Sequence, residues 1–226
     1  YFDITPIAAA SIGQVHKCET NDGQTLALKI QFPGIKESIN SDFRNMSFLL
    51  RNSGLIARGI NLEKILELGR KQLHKETDYL FEAKVQQQFA IALAQDNAFD
   101  VPKVYDALSS QKTLAMEFKN GITIEKTQKL DQKTRNRIAS NLFNLILKEL
   151  FEFKIIQSDP NFANFLYDTE LHKIILLDFG ATTRISSSTR TKFASLLKAT
   201  RDGDKTKVKK LLLNLGLIDK SLPSKL

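Results

Sequence analysis

Four short stretches of the 226-residue chain hold residue types that handle charged phosphate oxygens. In Asp159-Pro160-Asn161-Phe162-Ala163-Asn164 a carboxylate precedes a carboxamide by a short fixed spacing. Asp178-Phe179-Gly180 follows a nearly continuous aliphatic run, Lys173–Leu177. Leu26-Ala27-Leu28-Lys29 puts a single cation in a strand-like segment, and Glu82 stands further along in a helical one. Transfer of a phosphoryl group asks a protein mainly for positioning and charge neutralisation. Lys29, held by an ion pair to Glu82, suits the α- and β-phosphates of a triphosphate. Asp178 and Asn164 offer the oxygen ligands that Mg²⁺, a hard cation, prefers. Asp159 can take a proton from, or orient, an attacking hydroxyl or water. Each stretch alone is weak: D-F-G tripeptides occur by chance, strand lysines are usually solvated, and a surface Asp-Pro is usually a turn. Their order along the chain carries the argument.

The elements that must position these groups can be read from pattern. Residues 11–32 predict a β-hairpin, with Ser11–Cys18 and Thr25–Phe32 flanking the turn signal Asn21-Asp22-Gly23. Period two sets Leu26, Leu28 and Ile30 on one face and Lys29 beside Ala27 on the other. After Pro33-Gly34 the pattern turns helical to about residue 98, with an apolar stretch opening near Asn61 and running through Ile65, Leu66, Leu73, Leu80 and Phe89. Short strands are expected at Lys103–Leu108 and Thr113–Phe118. A second strong helix is expected over Asp131–Phe153, with Ile138, Leu142, Leu145 or Ile146, and Leu150 on one face. The segment from about Ser188 to Leu213 reads as helical and basic. The class is α+β with two lobes: a small β-rich N-lobe containing a helical insertion, residues 1–118, and a mainly helical C-lobe, residues 119–226.

In chain order these residues match the strand lysine, helix glutamate, catalytic-loop Asp and Asn, and metal Asp of protein kinases. A more specific resemblance follows. Ala8-Ala9-Ala10-Ser11-Ile12-Gly13-Gln14-Val15-His16 resembles the alanine-rich loop of the UbiB family of atypical kinase-like ATPases, which stands where an ordinary kinase has a glycine-rich loop. Leu28–Gly34 resembles that family's lysine strand and its turn. Lys75-Glu76-Thr77-Asp78-Tyr79, followed by Glu82-Ala83, resembles its E-x-D signature and helix glutamate. Gln157–Phe165 and Leu177–Thr182 are similar to the catalytic and metal loops of its eukaryotic coenzyme Q branch. The match spans about Pro6 to Arg201.

This resemblance implies a protein-kinase-like fold, ATP with Mg²⁺, and a role in ubiquinone biosynthesis at the matrix side of the mitochondrial inner membrane. It implies ATPase activity more securely than protein phosphorylation. Ala8, Ala9, Ala10 and Ser11 would lie over the phosphates, although alanine rarely takes φ > 0 and cannot wrap them as glycine does. Ala27 would leave room for adenine, and Met116-Glu117-Phe118 would meet its edge. Glu76 and Asp78 are regulatory residues by resemblance. Their family partner, a K-x-G-Q signature upstream, does not occur in the chain, so this stretch alone is expected to be incomplete. Gln157-Ser158 replaces the His-Arg that precedes the catalytic Asp in ordinary kinases, and no A-P-E follows Asp178. Three readings stay open: an Mg²⁺-dependent ATPase, a kinase acting on a protein or lipid, and a nucleotide- or lipid-binding pseudokinase scaffold.

Composition sharpens the partners. The chain has 33 Lys+Arg, 25 Asp+Glu and a net charge of +8, with 42% hydrophobic residues, 10 Gly, 5 Pro and 1 Cys. That excludes a disulfide scaffold and a collagen-like fibre. Residues 1–183 carry 22 charges of each sign, so the whole excess falls on residues 184–226. Nucleic acid is therefore not an expected partner. Anionic lipid headgroups against residues 184–226 are, with isoprenoid or quinone precursors and coenzyme Q biosynthetic proteins implied by the family. Cys18 reads as a small core residue, the Gln86-Gln87-Gln88 run as a solvated helix face, and the 15 Phe as mostly core.

Overall fold

The computed structural model describes residues 1–53, 62–159 and 161–218. The helix opening expected at Asn61, and Pro160 of the catalytic-loop motif, lie outside the described residues. The alanine-rich stretch departs from expectation first. Ala8–Ala10 is a strand, β1, whose backbone finds ladder partners on β2 (Gly13–Glu19), with Ala8 opposite Val15 and Ala10 opposite Gly13. Only Ser11 and Ile12 form the tight turn between them. The predicted hairpin is present: β2 pairs antiparallel with β3 (Thr25–Gln31), placing Val15 opposite Lys29 and Lys17 opposite Ala27. Gly23 turns the chain between them at φ +80°, a backbone value that suits glycine. At the other end a Cβ on Gly13 would lie 2.2 Å from the Ile30 carbonyl oxygen, so the strands close there only because Gly13 has none.

Two helices follow, α1 (Ile35–Ser53) and α2 (Leu62–Glu76), packed on each other where Gly69 admits the Phe43 ring. The expected long apolar stretch is interrupted at Thr77-Asp78. The Asp78 carboxylate accepts the Phe81 N–H at 3.1 Å and so caps a separate helix, α3 (Tyr79–Leu93). One stripe of α3 is buried, Tyr79, Glu82, Ala83, Gln86, Phe89 and Leu93, at helical spacing. Gln86 therefore corrects the expectation of a solvated glutamine face. It is fully buried and donates to the Pro102 carbonyl at 2.7 Å, whereas Gln88 is exposed.

After the short β4 (Phe99–Asp100), the strand expected at Lys103–Leu108 reduces to one bridge, Val104 opposite Met116. Local turn bonds win beyond it: the Leu108 N–H goes to the Tyr105 carbonyl in a 3₁₀ turn over Asp106–Leu108. The strand β5 (Thr113–Glu117) pairs with β3, Met116 opposite Ala27, and completes a sheet in the order β1-β2-β3-β5. On β3 the aliphatic face is not uniformly the better buried one. Leu26 is buried but Leu28 and Ile30 are only half-buried, while on the other face Lys29 and Gln31 are 6% and 8% exposed, because they turn toward the start of α3.

β6 (Ile122–Thr123) leads to α4 (Gln132–Lys148). The expected helix over 131–153 does not continue through: residues Glu149–Phe153 form a π-turn that stops at Lys154, φ +61°. Ile138, Leu145 and Leu150 are buried and Ile146 is half exposed, which decides between the two alternatives for that face. β7 (Ile155–Gln157), β8 (Phe165–Tyr167) and β9 (Ile174–Leu176) follow. A second sheet runs β4-β9-β8-β6, and every residue of β9 is buried, as its aliphatic run predicts. After β10 (Thr182–Arg184) come α5 (Ser187–Arg201), capped by Ser186, and α6 (Lys205–Leu215), capped by Asp204. The basic residues from Arg201 to Lys210 are all exposed.

The chain divides into two compact units, residues 1–141 with 158–182, and residues 142–157 with the chain from 183 onward. Every residue of the site described next lies in the first. The phenylalanines are less uniformly core than expected: Phe89, Phe99, Phe165 and Phe179 are buried, while Phe48, Phe143 and Phe162 are exposed.

Candidate active site

Lys29 is the centre of the site. Its Nζ donates to Glu82 Oε1 at 2.8 Å, to Glu82 Oε2 at 3.1 Å and to Asp178 Oδ2 at 3.1 Å. The three residues come from β3, from the first turn of α3 and from the loop after β9. Burial works against the ammonium charge, but the Glu82 and Asp178 carboxylates outweigh it and hold the lysine above its ordinary value. Burial also raises the Glu82 carboxyl, against the pull of Lys29. Glu82 also accepts the Phe179 N–H, and this contact, like Lys29, favours its ionised form. The ring of Tyr79 lies under the ammonium, 5.2 Å from Nζ.

The loop from Asp178 to Thr182 is held at each step. Asp178 Oδ1 accepts the Gly180 N–H at 2.9 Å. A Cβ on Gly180 would come within 3.3 Å of Glu82 Oε2, so glycine lets the loop lie against the ion pair. Phe179 is fully buried and packs on Phe89, ring centroids 5.1 Å apart. The Ser158 N–H and Oγ both donate to the Ala181 carbonyl, at 2.7 and 2.9 Å. Lys75 Nζ donates to the Thr182 carbonyl at 2.9 Å.

Together these groups line a cavity of about 90 Å³, bounded by Ser11, Lys29, Glu76, Glu82, Asp159 and Asp178. Four carboxylates and one ammonium face it. At an effective dielectric near 20, two like charges about 4 Å apart repel by roughly 4 kcal/mol, so a bare polyanion is disfavoured here without cations. Carboxylate oxygens are the donor type Mg²⁺ prefers, but among the described residues no three or more Asp, Glu, His or Cys side chains are gathered so as to hold a metal ion by themselves. The cavity is also small against the ~300–1,000 Å³ of ordinary small-molecule sites. Two of its lining residues are joined, Ser11 Oγ donating to Glu76 Oε2 at 2.9 Å. Glu76 also accepts from Gln72 at 3.1 Å.

Other residues singled out from the sequence fall at varying distance from this cavity. Asn164 ends a 3₁₀ turn that follows the Asp159 loop, and its carbonyl accepts the Leu177 N–H at 2.9 Å, which ties it to the strand feeding Asp178. It is not among the residues that bound the cavity. Asp78 serves as the cap of α3. Ala27 and Met116 face each other across β3 and β5 in one core cluster with Ile12 and Tyr79. The Glu117 and Phe118 N–H groups are already donated, to the Lys103 and Thr25 carbonyls. Lys17 lies 4.7 Å from the Phe118 ring. Ala8, Ala9 and Ala10 are on β1, outside the cavity lining. Sequence reasoning had no role for Lys75, Gly180 or Ala181. The only sign of Lys75 was its place beside the E-x-D stretch. Cys18 is half-buried, and burial raises its thiol pKa.

The chain is similar to known proteins. The model of the ABC1 atypical kinase-like domain matches residues 1–212. The rat protein "Atypical kinase COQ8B, mitochondrial" is 44% identical over 203 residues, covering 90% of this chain and 38% of that protein. The Saccharomyces cerevisiae protein "Atypical kinase COQ8, mitochondrial" is 40% identical over 217 residues, covering 96% of this chain and 43% of that protein. The chain thus spans well under half the length of these relatives. Among solved structures, Rv3197 from Mycobacterium tuberculosis, determined with erythromycin, superposes with a TM-score of 0.75 at 24% identity over the whole chain and 57% of its own; this is a likeness of fold. A match to the family model over nearly the whole chain, with relatives at this identity, makes the chain a member of the UbiB family of ABC1 atypical kinase-like proteins, in its eukaryotic coenzyme Q branch.

Proposed function

We propose that the chain is the nucleotide-binding core of an Mg²⁺-dependent ATPase that supports ubiquinone biosynthesis. The observation that carries this reading is the buried Lys29 bound at once by Glu82 and Asp178. Three elements distant in sequence converge on one cation at the rim of an acidic cavity, an arrangement suited to a triphosphate with its metal. In this reading Lys29 binds the α- and β-phosphates and Glu82 orients it. Asp178 and Asn164 would hold Mg²⁺, which supplies neutralisation of the phosphate charge. Asp159 accepts a proton from, or orients, the attacking water. Ala8, Ala9, Ala10 and Ser11 cover the phosphates once the Ser11–Glu76 contact opens. Ala27 and Met116 face adenine, and the Glu117 and Phe118 stretch contributes carbonyls rather than N–H groups to its edge. Glu76 and Asp78 act as regulatory residues. Phe118 marks the end of the N-lobe.

The mitochondrial names of the relatives support a mitochondrial location, which this reading puts at the matrix side, and the exposed basic residues of α5 and α6 support contact with anionic lipid of the inner membrane. Among the described residues no helix is long and apolar enough to cross a membrane. Isoprenoid or quinone precursors and coenzyme Q biosynthetic proteins are the partners that follow from this setting.

The test is ATP hydrolysis and ATP–Mg²⁺-dependent thermal shift by the full-length protein, with and without vesicles containing anionic lipid. Hydrolysis lost in Asp178→Asn and Asp159→Ala supports the reading. No shift with ATP–Mg²⁺, and an Asp178→Asn protein indistinguishable from wild type, would refute it. A second reading, a scaffold that binds nucleotide without turnover, is favoured by the small size of the cavity, about 90 Å³. It requires binding that persists in Asp159→Ala with no hydrolysis by the wild type. Labelled phosphate passed to a protein or lipid in trans over multiple turnovers, dependent on Asp159, would replace both with a kinase.

A further inference from the structure

Ser158 stands where an ordinary kinase has the arginine of its catalytic loop, and the structure gives it a different task. Its N–H and its hydroxyl converge on one acceptor, the Ala181 carbonyl, at 2.7 and 2.9 Å. The next carbonyl along, that of Thr182, takes the Lys75 ammonium at 2.9 Å, and the same ammonium lies 5.6 Å from the Phe81 ring. Two neighbouring backbone oxygens are thus held from two directions, by residues 23 and 107 positions away in sequence.

At its far end the backbone from Asp178 runs into β10, which pairs with β7, and the Ile185 N–H donates to the Lys154 carbonyl at 3.0 Å. Phe179 and Gly180 present their N–H groups inward, to Glu82 and to Asp178 itself. Gly180 has no side chain to lock it and is the point at which the loop could swing. Both ends must be fixed for the Asp178 carboxylate to stand at one place: Glu82 and the aspartate's own turn fix the start, and at the exit Ser158 and Lys75 hold the two carbonyls where the loop enters the β7–β10 pair. A bond from an ammonium to a carbonyl is charge-assisted and stronger than a neutral one. A doubly accepted carbonyl uses both of its lone pairs.

We propose that Ser158 and Lys75 are positioning residues that set the Asp178 carboxylate by gripping the Ala181 and Thr182 carbonyls. The grip itself is a property of the chain without ligand. Its consequence for metal binding rests on the function proposed above. The pair also divides the work: Ser158 ties the metal loop to the catalytic loop that bears Asp159, and Lys75 ties it to the end of α2.

The experiment uses the full-length protein and the variants Ser158→Ala, Ser158→Thr, Lys75→Met and Lys75→Arg. Amide hydrogen exchange across residues 178–184 is followed without nucleotide or metal, and the Mg²⁺ concentration at half-saturation is measured with a fluorescent ATP analogue. Ser158→Ala and Lys75→Met are expected to speed exchange in 178–184 about tenfold and to raise the Mg²⁺ midpoint three- to tenfold. Ser158→Thr and Lys75→Arg keep the donors and should stay near wild type in both. Unchanged exchange in the Ala and Met variants overturns the proposal. So does faster exchange with an unmoved Mg²⁺ midpoint, which would make the grip structural only. If the wild type bound no Mg²⁺–nucleotide, the proposed function would fall, and the exchange result alone would decide the grip.

Discussion

Glu149 offers a quantitative check on the burial described above. It is 3% exposed, at the start of the π-turn that ends α4, and its Oε2 accepts the Gln157 N–H at 3.1 Å. Burial pushes its carboxyl from the ordinary 4.5 up to about 7, with the Gln157 amide pulling the other way. A carboxyl raised in the folded state binds its proton more tightly there than in the unfolded chain. Its favourable contribution is therefore complete below about pH 4.5 and is lost as the pH rises through about 7. With those two values, the loss relative to acid pH is about 1 kcal/mol at pH 5 and about 3 kcal/mol at pH 8. Glu149→Gln keeps a carbonyl oxygen for the Gln157 N–H and removes the titration. The stability of the variant minus that of the wild type should consequently grow by about 2–3 kcal/mol between pH 5 and pH 8. Urea unfolding of both proteins across that range, followed by far-ultraviolet circular dichroism, measures the difference. The raised carboxyl of Glu82 titrates in both proteins and cancels. A difference that stays flat with pH, or shrinks, refutes the reasoning, whatever constant offset the substitution brings.

Three further outcomes follow from single contacts. Lys29→Met strands the Glu82 carboxylate, 1% exposed, without its ammonium, and should cost about 3–5 kcal/mol together with all ATP–Mg²⁺-dependent thermal shift; calorimetry with and without ligand checks both. Gly13→Ala drives a Cβ to 2.2 Å from the Ile30 carbonyl oxygen, which is backbone and cannot step aside, so circular dichroism should report a protein destabilised by about 3 kcal/mol or more. Ser11→Ala removes the exposed bond to Glu76, so the thermal midpoint should barely move while stopped-flow association of a fluorescent ATP analogue becomes several-fold faster; an unchanged association rate would show that the contact does not gate entry.

The parts of the fold that the sequence announces are those set by local chemistry. Asp22-Gly23 makes the hairpin turn, period two aims Lys29 away from Leu28, and the Ile174–Leu176 run makes a buried strand because nothing in it tolerates water. The site is legible for a related reason: Lys29, Glu82, Asp159 and Asp178 are charged groups at spacings that solvated positions do not require. What was not legible depends on partners far along the chain. Gln86 looks like its exposed neighbour Gln88 until the Pro102 carbonyl arrives as an acceptor. Ala8–Ala10 becomes a strand only because β2 supplies a ladder. Ser158 and Lys75 have ordinary polar side chains, and their contacts with Ala181 and Thr182 leave no trace in pattern. At Val104 the opposite error arises: a strand-like composition yields to the turn bonds of Tyr105 and Leu108.

The ammonium of Lys29 has three protons, and Glu82 Oε1, Glu82 Oε2 and Asp178 Oδ2 accept all of them. The socket is already full. A phosphate oxygen can reach this lysine only by taking the place of a carboxylate oxygen, one anion exchanged for another. Asp178, whose side chain is 34% exposed against 2% for Glu82, is the partner that can leave. Affinity at Lys29 is then a difference between two anionic partners rather than the gain of a new one. On the proposed function, the step that would bring in the phosphate would also be the step that frees Asp178.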